Sequence, residues 1–371
     1  MALPSSGSPI KFSQIRKEFG VTPNKKLGEY RISQDVGDMS GLPLDDGIPQ
    51  GDSQISFSQF YGTQLNIVVE YDQSENRPKT AKQKFTNNEE CTVIGGFKSK
   101  PNSSDGSRII IHTSNGANIG GTQNNNTQNK CSLRTGSGWE GTTELDIVIG
   151  SQSNVYGSGG NGGKGGAGDT GSQSSASGED GLAGGSAIGI QYPVDTIKVQ
   201  SGAQVNAGGG GGGGSGGAKN DQHTRAGSGG GGGAGLPPGE RGVDGDNAGG
   251  QNGQDGTTTD GGDGGDGDTK SNNIAAGGGG GGGAAQAGEV GEGGIRGIKD
   301  DDNAQDGFDG TTSKGGDGGD ADAEGGSQTE GLGGSGGLNG YAITSTNNYA
   351  INVTVGDNRV HGTKQQNGGV S

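Results

Sequence analysis

The sequence predicts a mostly irregular and β chain ending in a packed bundle of about ten glycine-rich helices. Three observations carry this. The 371 residues include 91 glycines, yet only 24% are hydrophobic and 4% aromatic. That is about half the apolar content a conventional core uses. The glycines keep a phase of three. Short Ile/Val runs with alternating polarity stand between and before them.

Residues 1–63 form the first unit. Ile10-Lys11-Phe12-Ser13-Gln14-Ile15 is echoed by Ile55-Ser56-Phe57-Ser58-Gln59-Phe60, and each copy leads into one helical turn stopped by glycine, at Gly20 and Gly62. Each copy has a few anchoring aromatics and little apolar area. The unit reads either as a small, loosely packed domain or as a docking arm that orders on a partner. For the second reading the contact candidates are Phe12, Ile15, Phe19, Phe57, Phe60 and Tyr61.

Residues 64–150 predict a small antiparallel β domain. Leu65–Tyr71, Cys91–Ile94, Arg108–His112 and Leu145–Ile149 read as strands parted by Asn/Gly/Ser turns. The single tryptophan, Trp139, is expected in its core.

Residues 151–340 are the unusual part. Gly159–Ala167 is a strict Gly-Gly-X repeat that recurs at Gly261–Asp266 and Gly315–Asp320, and pure runs stand at Gly208–Gly214, Gly229–Gly233 and Gly277–Gly283. Period three matches the polyproline II helix, which has three residues per turn. Such a helix has two bare faces, so neighbours approach closely and bond backbone to backbone. Collagen does not fit, because two positions in three are glycine and proline is scarce. A flexible linker fits poorly, because strand-like stretches such as Ala187–Tyr192, Thr196–Val199 and Tyr341–Ile343 interrupt the glycine. The calcium β-roll nonapeptide fails at its apolar position, which is Asp268 in one near-match and Asp322 in the other. Residues 341–371 close with an alternating strand at Tyr349–Gly356, expected to pair near 145–149 and 186–199.

Charge and chemistry narrow the function classes. The formal net charge is −16, and 19 acidic against 5 basic residues between Glu240 and Glu324 place −14 of it in one stretch. Such a surface repels phosphate backbones, so nucleic acid is not an expected partner. His112, His223 and His361 are isolated, and neither a nucleophile elbow nor a phosphate loop stands in its required context. The expectation is no enzyme, no cofactor and no metal. Cys91 and Cys131 are expected as free thiols of a protein made in a cytoplasm. The first ten residues lack a signal-peptide pattern, and no run is apolar enough to be membrane-embedded.

Val155–Gly163, followed by an Ile/Val hairpin ending in Asn206-Ala207-Gly208 and a long glycine run, resembles the glycine-rich domain of phage tail-fibre adhesins of T-even-like phages. The N-terminal Ile-Ser-Phe-Ser-Gln repeat resembles segments of virion tail proteins of marine phages. The first resemblance implies a sandwich of polyglycine II helices on the virion tail. Its joining loops would bind a host outer-membrane protein or surface glycan, and its N-terminus would hold other phage tail or fibre proteins. The loops would be 169–180, 218–228, 236–260, 268–276, 284–306 and 321–331, with His223, Arg225, Arg241 and Phe308 as contact candidates. A purely structural baseplate or fibre-joint protein is the alternative, and an ice-binding protein a more distant one.

Overall fold

The computed structural model describes the chain except for residues 1, 22–25, 38, 123–127, 169–176, 220–223, 246–249, 268–277, 284–304, 312–313 and 319–331. Among the described residues there are two α-helices, and the rest of the regular structure is β or 3-10.

The Phe-Ser-Gln repeat is a helix-start device. α1 (Phe12–Phe19) begins where Gln14 Oε1 accepts the Lys11 N–H at 2.7 Å, and a 3-10 turn at Phe57–Phe60 begins where Gln59 Oε1 accepts the Ser56 N–H at 2.6 Å. In both, a glutamine at the third helical position reaches back to an orphan donor. The two copies then pack on each other. Phe12 meets Phe57 edge to face at 6.3 Å, and Phe19 meets Phe60 at 6.2 Å. Tyr30 lies against Phe12, Phe19, Phe60 and Phe97, and its hydroxyl donates to the Gly20 carbonyl at 2.6 Å. A hairpin of β1 (Ser33–Val36) and β2 (Met39–Pro43) completes this unit.

From Leu65 onward the strands stack in parallel. The chain runs β3 (Leu65–Tyr71), β4 (Glu75–Asn76), α2 (Ala81–Asn87), β5 (Cys91–Val93), β6 (Ser107–Thr113), β7 (Asn118–Gly120), β8 (Cys131–Arg134), β9 (Glu144–Ile149), β10 (Asn154–Tyr156), β11 (Ser186–Ile190), β12 (Thr196–Val199) and β13 (Gln204–Asn206). After a hairpin of β14 (Ala218–Lys219) and β15 (Thr224–Arg225) it resumes with β16 (Ile343–Ser345), β17 (Val353–Val355), β18 (Val360–His361) and β19 (Lys364–Gln366). The three main sheets are β5-β3-β6-β9-β12-β17, β4-β7-β10-β13-β18 and β8-β11-β16-β19. Each passage through them is one coil of a three-sided solenoid. β3·β6, β6·β9, β9·β12 and β12·β17 are all parallel, and β5 alone runs antiparallel in that sheet.

The expectation of antiparallel pairing is therefore corrected. Ile109, Ile110 and Ile111 are all buried, as are Leu145, Ile147, Val148 and Ile149. Strands buried on both faces belong to parallel sheets, and their continuous apolar runs are the signal that alternation-based reading passes over. Inside the solenoid one column runs Val69–Ile111–Ile147–Ile197–Val353 by register. The predicted C-terminal strand does pair with 196–199, through β17. Trp139 is buried and packs on Phe85 at 5.5 Å.

The glycine-rich chain leaves and re-enters at one corner. Residues 157–185 connect β10 to β11, and 207–342 connect β13 to β16, both between the second and third sheets. These segments bond to one another once every three residues. Gly160, Gly163 and Gly166 donate to the carbonyls of Gly209, Gly212 and Ser215 at 2.8–2.9 Å. The number of glycines per three residues follows the number of neighbours. Residues 208–214, all glycine, exchange backbone bonds with six segments: 160–166, 179–185, 228–234, 279–282, 316 and 334–340. A Cβ on Gly211, Gly212 or Gly213 would overlap the carbonyl of Asn161, Gly279 or Gly334 respectively, so none of the three ridges tolerates a side chain. Segment 159–166 buries two ridges and reads Gly-Gly-X. Segment 239–245 buries one, keeping only Gly239, Gly242 and Gly245 against the carbonyls of Gly160, Gly163 and Gly166.

Gly211→Ala is therefore expected to destabilise the protein by more than ~1–3 kcal/mol, since rigid backbone rather than a movable side chain stands in the way. Gln254→Ala, on an exposed ridge, should stay within ~0.5 kcal/mol. Thermal unfolding of the two variants followed by calorimetry checks both.

Candidate functional site

The bundle has two ends and a flank, and the predicted residues divide among them. Hydrogen-bond register fixes the levels. Gly157, Gly185 and Gly208 lie together beside the solenoid, where Gly157 donates to Asn206 and Gly208 to Gly185. Gly166, Ser215, Ser228 and Gly245 lie together at the other end. The described chain approaches that remote end at Ala167, Lys219, Gly245, Gly267 and Gly318, and starts back from it at Ser177, Thr224, Gly250, Gly278 and Leu332. Two described near-end turns are short, Thr257–Asp260 and Thr311–Lys314, each closed by a threonine hydroxyl that accepts a backbone N–H.

Arg225 closes the β14–β15 hairpin opposite Ala218. That hairpin joins 207–217 to 226–235, the two segments with the most neighbours, so it stands at the centre of the remote end. His223 and most of the expected loops 169–180, 268–276, 284–306 and 321–331 lie outside the described residues. Arg241 and Phe308 are not at the remote end. Arg241 lies on the flank, level with the middle of the bundle, half-exposed and 4.0 Å from Asp255. Phe308 is 58% exposed on another part of the flank, its backbone bonded to Asp317 and Gly280. Of the three that are described, Arg225, Arg241 and Phe308 lie in different parts of the bundle.

The N-terminal candidates also divide. Ile15, Phe19 and Phe60 are fully buried in the chain's own core and present nothing to a partner in this fold. Phe57 is 43% exposed, and Phe12 and Tyr61 are half-buried. The aromatic repeat thus serves mainly to hold the unit to itself.

One set of polar residues escapes sequence reasoning. Perimeter segments have N–H groups that no neighbouring carbonyl reaches, and side chains at the free third positions accept them. Asn161 Oδ1 accepts from Glu240 at 3.0 Å, Asp255 Oδ1 from Arg241 at 2.9 Å and Asn252 Oδ1 from Asp244 at 2.8 Å. Asp180 Oδ1 accepts from Ser335 at 2.7 Å and Asp317 Oδ1 from Gly336 at 2.8 Å. Buried Asn339 reaches inward, accepting from Gly210 at 2.7 Å. The available signal is Asp or Asn recurring at the X of Gly-Gly-X. Partial burial opposes ionisation of Asp317, but the Gly336 N–H and the Lys314 ammonium at 2.9 Å outweigh it and hold its carboxyl below the usual aspartate range.

The described residues hold no group of three or more His, Cys, Asp or Glu placed for a metal ion, and none of their helices is long and apolar enough to cross a membrane. Cys91 and Cys131 are unbridged, and burial pushes their thiols up to about 11 and about 12.

The model of the phage tail fibre adhesin family Gp38 matches residues 80–304. The chain belongs to the phage tail fibre adhesins. This adhesin is also similar, at 18% identity and a TM-score of 0.31, to a chain in the crystal structure of the gp37-gp38 adhesin tip complex of the bacteriophage S16 long tail fiber. That similarity covers 79% of the adhesin and 93% of the other chain. No curated protein matches it.

The Asp317 contact gives a pH dependence. A carboxyl whose pKa is depressed on folding stabilises above its unfolded value of about 3.9, and that contribution is lost as pH falls through the folded value. Asp317→Asn should melt below wild type at neutral pH, and the gap should close as the pH falls through the carboxylate range. Paired thermal scans from neutral to strongly acidic pH check this.

Proposed function

We propose that this adhesin is the non-enzymatic receptor-binding tip of a phage tail fibre. Its N-terminal unit and solenoid face the fibre, and its glycine bundle, a sandwich of polyglycine II helices, presents the remote end to a host outer-membrane protein or surface glycan. The domain plan is a docking segment at 1–63, a β domain at 64–150 whose sheets are continued by strands within 151–206 and by the closing strand segment at 341–371, and a glycine bundle with receptor-binding loops within 151–340.

The observation that carries this reading is the arrangement of the connections. The described segment ends at Ala167, Lys219, Gly245, Gly267 and Gly318 lie at the same end of the bundle, remote from the solenoid, on a closely packed backbone scaffold. Binding residues set on loops over a rigid frame are a recurrent design. His223 and Arg225, in and beside the central connection, are the preferred contacts; Arg241 and Phe308 are secondary ones on the flank.

Residues 219–224 and 245–250 exchanged for those of a related phage should redirect adsorption to that phage's hosts, with the fibre still assembled. Adsorption that stays unchanged would argue against the proposal. The His223→Ala/Arg225→Ala pair should cut adsorption at least ~10-fold, as loss of central contacts does, while Arg241→Ala stays close to wild type. Plaque and adsorption assays on isogenic phages read both.

A further inference from the structure

Two cations stand together on the solenoid without an acid between them. Arg77 follows β4, the outer strand of the second sheet, and Arg134 ends β8, the outer strand of the third. The chain between Arg77 and α2 crosses beside β8. Arg134 Nη2 donates to the Pro78 carbonyl at 2.6 Å, and the Lys82 N–H donates to the Thr135 carbonyl at 3.0 Å. Both guanidiniums are thereby brought to one corner, where both act on the buried Cys131 thiol. Buried Tyr71, also beside Arg134, has its hydroxyl committed to the Lys79 carbonyl at 2.9 Å.

The two side chains are half-buried, and both Nε atoms are buried with no acceptor among the described residues. Among those residues the Arg77 side chain makes no hydrogen bond or ion pair. The acidic residue nearest to it in sequence, Glu75, is exposed on β4. Arg108 shows the contrast, held between Asp46 and Asp146 at 2.6 Å each. Burial and the Arg77 charge together hold Arg134 below the ordinary guanidinium range. A buried charge without a partner costs stability, and a like charge beside it adds to that cost. Arg77 is also held at φ +48, with its N–H on the Gly120 carbonyl at 2.6 Å. A long side chain in that left-handed region is uncommon, and such positions gather at ligand-holding sites.

We propose that Arg77 and Arg134 form a binding site for a phosphate-type oxyanion, taken either as inorganic phosphate or as a phosphate monoester on a saccharide. A guanidinium presents its donors as a planar fork matched to oxyanions. One fork satisfies both oxygens of a carboxylate. Two forks at one corner suit a tetrahedral group with three free oxygens, whose negative charge also offsets the repulsion between them. The site stands on the solenoid, apart from the remote end of the bundle.

The test is calorimetric titration of the full chain with inorganic phosphate and, separately, with a sugar phosphate monoester, at constant ionic strength in chloride. Binding of either one supports the site, and the tighter of the two tells a free ion from a phosphorylated saccharide. Arg77→Gln should weaken that binding at least ~10-fold, as loss of hydrogen bonds from a charged group does. Lys198→Gln, which removes an exposed charge from β12, should bind as wild type does. Without phosphate, Arg77→Gln should melt no lower than wild type, because it removes a like charge and breaks no bond. Phosphate should then raise the melting temperature of wild type and leave that of Arg77→Gln in place. Three results would overturn the assignment: no binding of either probe, equal binding by wild type and Arg77→Gln, or equal loss in Lys198→Gln. An Arg77→Gln chain that fails to fold would overturn it too, since the side chain would then be structural.

Discussion

Everything in the glycine bundle depends on one constraint: neighbouring backbones lie so close that a single methyl group has nowhere to go. The bonds at Gly160, Gly163 and Gly166 repeat every three residues because that is the repeat of the segment itself. The interaction is ordinary, an N–H to a carbonyl at 2.7–3.1 Å. The arrangement is not ordinary, since each interior segment shares its bonds among six others rather than two. Glycine loses more entropy on ordering than any other residue, and nearly complete use of its backbone donors offsets that loss here. From Gly208 to Gly214 every N–H is bonded, with the Gly210 N–H taken by Asn339 because no carbonyl reaches it.

The solenoid supplies what the bundle cannot supply for itself. A sheet of glycine segments has no side-chain code for register, so a one-step slip costs little locally. The solenoid removes that freedom. Asn154–Tyr156 and Gln204–Asn206 are paired residue for residue, and they hand the chain to 157–167 and 207–217 already aligned. The constant spacing of bonds between those two segments follows from that entry. Buried Ser158, Ser215 and Ser228 sit among the glycines at levels where one small side chain fits; the Ser215 hydroxyl accepts the Ser228 N–H, and the Ser228 hydroxyl donates to the Asp266 carbonyl.

The glycine phase was legible from composition and spacing, because in this bundle each position's tolerance for a side chain is a direct record of whether a neighbour lies there. The N-terminal repeat was legible as a helix start for the same kind of local reason. Strand direction was not legible. Asn and Gly at 114–118 and 150–154 form turns either way, and what decides between hairpin and coil is which strand lies next in space. The run Arg108–His112 held the clue, but in its unbroken apolar character rather than in any turn. The buried roles of Phe19 and Phe60 were hidden because both pack on Tyr30, which in turn packs on Phe97 from much later in the chain.

The acidic character of the chain reads differently once these contacts are known. Read alone, the aspartates and asparagines between glycines look like a charged surface kept for a ligand. Asp180, Asp255, Asp317, Asn161 and Asn252 instead hold backbone N–H groups that the lattice leaves over at its perimeter. A carboxylate or amide suits that task because it is an acceptor on a short stem, and it needs no partner beyond the neighbouring segment. Charge on the flank is then partly a product of building a bundle from glycine. Sequence freedom is confined accordingly. Positions under a neighbour must be glycine, and perimeter positions favour Asp, Asn or Ser. Among the described residues of the bundle, both rules follow from the same cause, the presence or absence of a neighbouring backbone at that position.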